Sequence, residues 1–161
     1  MIKKIIIPSI LAIITGLIIG NFLFNQYDKE ELKVIGANGT VKNVYFLQVG
    51  VYSSEESMLK NVSAIPYYIY QIVDEKYYVY VGMSLKEENV NKLKEFFISS
   101  GYNIYVKTFG IANDAFLTVL EQYDVMLEQA PDNSSYSAIC GQVLAKYEEL
   151  VNHDRQDQGT A

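Results

Sequence analysis

Cysteine, histidine, proline and tryptophan are scarce in this 161-residue chain, which has one Cys, one His, three Pro and no Trp. A single cysteine, Cys140, cannot form an intramolecular disulfide, so the fold must be held by core burial. His153 stands alone without clustered Cys or carboxylates, which excludes a zinc-type site. No phosphate-binding loop or nucleophile elbow occurs in the sequence. We therefore expect no enzyme, no bound metal and no cofactor.

Clustered basic residues are also missing. The formal net charge is −6, whereas binding to nucleic acid phosphates requires grouped Lys and Arg. Lysines and acids balance over residues 41–110, but residues 111–161 carry only Lys146 and Arg155 against nine acids. This segregation disfavours an RNA-binding sheet and predicts separate roles for the two regions.

No charged residue lies between Lys4 and Asp28, and Ile5 to Phe24 is almost wholly apolar. Crossing the hydrocarbon core takes about 20 apolar residues in a helix, so this segment is long enough. Basic residues precede it and acidic residues follow it. The asymmetry predicts a cytoplasmic N-terminus and an extracytoplasmic remainder, a single-pass protein of the cell membrane.

A cleaved signal peptide is the alternative, but its apolar core usually has about 7–15 residues and ends at a small-residue site. The residues at 20–24, Gly-Asn-Phe-Leu-Phe, contain no such site. We expect a cytoplasmic start and uncleaved transmembrane anchor over residues 1–27. Residues 28–42 are polar and are predicted to form a tether.

Residues 43–110 predict the order β-α-β-β-α-β. Runs of aromatic and β-branched residues indicate strands over 44–52, 67–73, 76–83 and 103–109. Ser53 and Ser84, each followed three residues later by Glu, predict the two helix starts, and Gly101 a helix end. The fold class is α+β. Two β-α-β halves build a ferredoxin-like fold, with a four-stranded antiparallel sheet and two helices on one face.

Residues 111–152 predict an acidic αα-hairpin, and residues 153–161 a disordered tail. Apolar residues recur at helical spacing on both sides of a turn at Pro131. Two such helices bury too little surface to be stable alone. We expect the hairpin to dock on the module formed by residues 43–110. Folding on a second copy or on another protein, such as one of cell division or wall synthesis, stays open.

Three motifs in this module carry a family resemblance. Tyr45-Phe46-Leu47-Gln48-Val49-Gly50-Val51-Tyr52, followed at once by a Ser/Glu helix start, resembles the first strand and helix of SPOR domains, the sporulation-related repeat. Tyr77-Tyr78-Val79-Tyr80-Val81-Gly82 resembles their third strand. Gly101-Tyr102-Asn103-Ile104-Tyr105-Val106 resembles the approach to their fourth strand. The resemblance covers residues 43–110.

The resemblance implies an exported bacterial module that binds peptidoglycan glycan strands, often at division or sporulation septa. The glycan is implied to lie across the sheet face that the helices leave open. Gln48 matches a first-strand glutamine of the family, and Tyr78 or Lys76 matches an aromatic or basic position of the third strand. Val51 departs from the pattern, because a serine is often found there.

Alternation along the strands indicates the same open face. If Leu47 and Val49 point into the core, then residues of the other parity point outward, and flat aromatics there suit sugar rings. Gly50 would let a ligand approach the backbone. The predicted glycan-binding residues are Phe46, Gln48, Gly50, Tyr78, Tyr80 and Tyr105.

Two alternatives stay open. Gln48 could instead make a structural hydrogen bond, and most tyrosines could be packing residues. The whole module could be an envelope scaffold for protein interactions without glycan binding, a hypothesis that the departure at Val51 favours.

Overall fold

Residues 35–158 are described by a computed structural model, with side chains described for residues 39–151. The predicted anchor over 1–27, the first part of the tether over 28–34 and residues 159–161 lie outside the described residues. Among residues 35–158 we find no helix that is both long and apolar enough to cross a membrane.

The described chain is an α+β fold built on one sheet. Its elements are β1 (Ile35–Asn38), β2 (Lys42–Tyr52), α1 (Glu55–Val62), β3 (Ile69–Val73), β4 (Lys76–Ser84), α2 (Glu87–Ser99), β5 (Tyr105–Asn113), α3 (Asp114–Gln129) and α4 (Asn133–Gln158). The sheet has five strands in the order β1-β5-β2-β4-β3. Four of them, β5-β2-β4-β3, are antiparallel neighbours, as predicted, and β1 is parallel to β5.

Both ends of the domain differ from the predicted boundaries. Residues 35–38, assigned to the tether, form β1, whose Ile35 lies opposite Ile111. This pairing engages β5 beyond residue 110, and β5 continues to Asn113. At the other end, residues 153–158 belong to α4, although the sequence predicted a disordered tail from 153.

The helix caps are one residue or more from their predicted places. Ser54, not Ser53, caps α1, because its hydroxyl accepts a hydrogen bond from the Ser57 N–H at 3.2 Å. The cap position of α2 is Lys86, which makes no side-chain capping bond. The predicted stop at Gly101 is confirmed, because this residue follows the last turn of α2 with a φ of 91°.

The predicted hairpin between β3 and β4 is confirmed. Val73 lies opposite Lys76, which leaves Asp74 and Glu75 as a two-residue turn. Their φ angles are 49° and 60°. Positive φ at both central residues is the mark of a type I′ turn, whose twist matches that of the flanking strands.

One hydrophobic cluster joins the sheet to α1 and α2, as predicted. Leu47 and Val79 lie at its centre and are completely buried. Helix residues that pack with them are Met58, Val62, Val90, Leu93 and Phe97. Leu127 of α3 and Cys140 of α4 join the same cluster, so the C-terminal helices contact this core as well.

A second hydrophobic cluster joins the sheet to α3 and α4. The sheet contributes Val44, Phe46, Ile69, Tyr80, Met83 and Ile111, and the two helices contribute Phe116, Leu117, Leu120, Val143, Leu144 and Tyr147. The hairpin thus docks on the module of the same chain, as expected. Docking there covers much of the sheet surface that the sequence predicted to be open.

Candidate ligand-binding strip on the sheet

Strand register decides which of the predicted site residues share a face. Side chains directly opposite each other on antiparallel strands point to the same side of the sheet. Gln48 of β2 lies opposite Tyr105 of β5 and Tyr80 of β4. Phe46 lies opposite Lys107 and Met83. These residues therefore belong to one face, the face that the hairpin approaches.

Phe46 and Tyr80 are packing residues. They are buried, and their rings meet edge to face with centroids 5.6 Å apart. Tyr147 of α4 stacks edge to face on Phe46 at 5.1 Å, and Phe109 does so from β5 at 5.0 Å. The expectation that Phe46 and Tyr80 lie on an open face is wrong, because α4 covers them.

Gly50 points away from this face. The register of β2 and β4 shifts around Gln48, so that Gly50 lies opposite Val79, a residue of the α1/α2 cluster. Such a β-bulge breaks the alternation of side chains. A Cβ on Gly50 would lie 2.5 Å from the Tyr52 hydroxyl oxygen. The missing side chain makes room for the Tyr52 ring, not for a ligand.

Gln48 is buried, with 4% of its surface exposed, and its carbonyl oxygen Oε1 has no hydrogen-bond partner among the described residues. A buried acceptor without a donor costs about 1–3 kcal/mol. No structural hydrogen bond of Oε1 accounts for this glutamine. The oxygen is itself shielded from solvent, so a ligand would reach it only after neighbouring side chains move.

Open surface remains on the same face beside Gln48. Tyr105 is 56% exposed, Val51 is exposed, and Tyr78 and Gln71 are half-buried. Register places Val51 and Gln71 on either side of Tyr78. We call Gln48, Val51, Gln71, Tyr78 and Tyr105 the open strip. Of the predicted site residues, the strip contains Gln48, Tyr78 and Tyr105.

The open strip has the chemistry for an uncharged polar ligand. It contains no ionisable group other than its tyrosines. Aromatic rings offer flat apolar surfaces, while amides and phenol hydroxyls both donate and accept hydrogen bonds. Sugar rings present the complementary combination of apolar faces and hydroxyl edges. Among the described residues no group of three or more His, Cys, Asp or Glu could hold a metal ion.

Comparison with known proteins gives no relative. No protein-family model, curated protein or solved structure matches the chain.

A buried polar cluster, which the sequence analysis missed, fixes α3 to the start of α2. The carboxylate of Asp124 is completely buried. It accepts hydrogen bonds from the Ser84 hydroxyl, from the Leu85 N–H at 2.9 Å and from the Asn89 side-chain amide at 2.8 Å. Ser84, expected to cap α2, is a partner of Asp124 instead. The available signal was an acid on the apolar stripe of α3, between Leu120 and Leu127.

Ion pairs surround this cluster at the surface. Lys42 pairs with Glu121 at 2.8 Å, and Lys86 pairs with Glu128. Hydrogen bonding to Glu128 raises the pKa of Lys86, and hydrogen bonding to Lys42 lowers the pKa of Glu121. Lys42, Glu121 and Lys86 line a surface cleft of about 530 Å³ beside Asp124. The two pairs join α3 to β2 and to the start of α2, and each lysine is neutralised by its carboxylate partner.

Cys140 is buried among apolar residues of the α1/α2 cluster. Desolvation raises the pKa of its thiol to about 12. A thiol is reactive as the thiolate, and this one stays protonated at neutral pH. Cys140 is thus a small packing residue.

Proposed function

We propose that this chain is a non-enzymatic, membrane-anchored bacterial envelope protein whose extracytoplasmic domain binds peptidoglycan glycan strands through the open strip. The observation that carries the proposal is the buried, unpartnered Oε1 of Gln48 beside the exposed ring of Tyr105. Because Oε1 is shielded from solvent, a shift of neighbouring side chains would let a sugar hydroxyl donate to it while the sugar face stacks on the tyrosine. The SPOR-like motifs suggest peptidoglycan as the polymer and septa of division or sporulation as the place.

A SPOR-like, ferredoxin-like fold is part of this proposal. Support comes from the order β5-β2-β4-β3 of the antiparallel strands and from the packing of α1 and α2 in one cluster with the sheet. Strand β1 and the α3/α4 hairpin are additions to that arrangement. The hairpin restricts the proposed glycan contact to the open strip, because α4 covers Phe46 and Tyr80.

Co-sedimentation with purified sacculi tests the proposal. The full-length chain in detergent should bind sacculi, and binding should increase after amidase treatment, which removes stem peptides. Tyr105→Ala should weaken binding about fivefold, the equivalent of losing about 1 kcal/mol of aromatic contact. The melting temperature should barely change, because the side chain is mostly exposed.

Tyr67→Ala is the matched control. Tyr67 is 54% exposed, close to the 56% of Tyr105, but lies before β3 and outside the open strip. Its substitution should leave sacculus binding unchanged. Equal losses in the two variants would show that binding does not occur at the strip.

The second candidate function is an envelope scaffold that binds other proteins without glycan. The burial of Phe46 and Tyr80 under the hairpin favours it, because a sheet surface that is buried in the core cannot contact a long glycan strand. If the wild-type protein binds neither native nor amidase-treated sacculi, the scaffold function is favoured over glycan binding.

A further inference from the structure

Strand β3 forms one outer edge of the sheet. It pairs with β4 on one side and is the last strand in the order. No other described backbone segment bonds to it. The outer N–H and C=O groups of such a strand can pair with another chain.

The turn geometry identifies which backbone groups are free. In a two-residue hairpin the flanking pair, Val73 and Lys76, exchanges hydrogen bonds across the turn. Bonded and non-bonded positions alternate along an antiparallel pair. Gln71 and Ile69 therefore also bond to β4, whereas Tyr70 and Ile72 direct their N–H and C=O groups outward.

The edge lacks the features that usually prevent pairing. Natural edge strands carry charged residues, proline or bulges. Strand β3 reads Ile-Tyr-Gln-Ile-Val and contains none of these. Ile72 is 59% exposed, and Tyr70 and Val73 are exposed beside it. The strand thus offers free hydrogen-bonding groups flanked by apolar side chains.

The strand is also complementary to itself. In an antiparallel pair of two β3 strands centred on Gln71, the backbone of Tyr70 forms hydrogen bonds with the backbone of Ile72 of the other copy. Ile69 of one copy then lies opposite Val73 of the other. The acidic turn residues Asp74 and Glu75 then lie beyond the strand, opposite the positions of Tyr68 and Tyr67. No like charges meet across such a pair, and a two-fold axis closes the assembly.

We propose that a second copy of this chain pairs with β3, antiparallel and centred on Gln71, and joins the two sheets into one. The contact is a short strand with few flanking side chains, which places it among small, reversible interfaces. The proposal does not rest on glycan binding, because it is argued from the backbone edge of β3, although the Gln71 side chain also belongs to the open strip.

Cysteine cross-linking of the full-length chain in detergent tests the register. The Gln71 pair would be a non-hydrogen-bonded pair with Cα atoms about 4.5 Å apart, within the range of a disulfide. Gln71→Cys should therefore give disulfide-linked dimers under mild oxidation, at least tenfold faster than Ser99→Cys, an exposed control on α2. Native Cys140 does not compete, because it is buried.

A charge at the edge provides the second arm. Ile72→Lys in the Gln71→Cys background should abolish cross-linking, and in the native chain it should abolish dimers in sedimentation velocity. Ile98→Lys, at a 50% exposed position of α2, should leave both unchanged. The proposal is overturned if the native chain stays monomeric at all concentrations, or if Gln71→Cys cross-links no faster than Ser99→Cys. Dimers that persist in the Ile72→Lys variant overturn it too. The same holds if β3 pairs only with an extended segment of another protein and not with a second copy.

Discussion

Gln48 occupies a position where an apolar side chain would serve the core better. It lies beside Tyr80 and Phe46, both buried, and its own Oε1 lacks a donor among the described residues. Retaining such a group lowers stability, which is typical of residues that serve binding. The cost is recovered when a ligand supplies the missing donor.

Gln48→Met tests this account at the residue scale. Methionine has a similar length and no acceptor that requires a strong hydrogen bond, so the free energy of unfolding should rise by about 1–3 kcal/mol. Urea denaturation of the two chains measures the change, and sacculus binding should fall in parallel. A lower stability of the variant would mean that the Gln48 amide makes a structural hydrogen bond.

Strand alternation predicted most of the residue-scale picture and failed at one irregularity. It placed Gln48, Tyr78 and Tyr105 on one face, and register agrees. It misplaced Gly50, because the β-bulge next to Gln48 turns this residue to the opposite side. A bulge depends on how two strands meet, and the sequence of one strand alone does not reveal it.

At the scale of elements, the β3–β4 turn stores avoidable strain. Asp74 and Glu75 both have positive φ, which costs a non-glycine residue about 1–2 kcal/mol in the left-handed region. The Asp at the first position tolerates this conformation better than the Glu at the second. The second position is therefore the one to relieve.

Glu75→Gly should stabilise the protein by about 0.5 kcal/mol, since the relief of strain exceeds the entropy cost of glycine. Glu95→Gly is the control, an exposed position inside α2 where glycine should cost about 1 kcal/mol. Thermal unfolding followed by circular dichroism measures both. Destabilisation by both variants to the same extent would contradict the strain argument.

Prediction of the helices and strands succeeded where the hydrophobic periodicity was strong. It failed where a strand forms only because it pairs with a distant strand. Residues 55–62 and 87–99 show clear amphipathic spacing and are helical. Strand β1 was missed because its four residues, Ile-Gly-Ala-Asn, have little strand preference. Its backbone pairs with the end of β5, and this long-range partner, not local sequence, makes it a strand.

For the whole molecule, β2 contains the signal that its sheet is covered on both sides. Val44, Phe46, Leu47 and Val49 are apolar at both parities, the pattern of a strand buried on two faces. The prediction of an open sheet face assigned the side chains of one parity to ligand binding. The structure assigns much of it to α3 and α4, whose apolar stripes required a partner surface.

Removal of the hairpin should therefore do more than trim a peripheral segment. A chain that ends at Asn113 keeps all five strands but exposes core residues of the second cluster, which are Val44, Phe46, Tyr80, Met83 and Ile111. Burial of each is worth about 1.5–3 kcal/mol. Together these contributions are comparable to the about 5–15 kcal/mol that stabilises a typical domain.

We expect the truncated chain to lose cooperative thermal unfolding and to bind a hydrophobic dye. The Tyr147→Phe variant is the control: it keeps the ring against Phe46 and should still unfold cooperatively. A truncated chain that melts cooperatively within a few degrees of the intact protein would show that the sheet, α1 and α2 are stable without the hairpin.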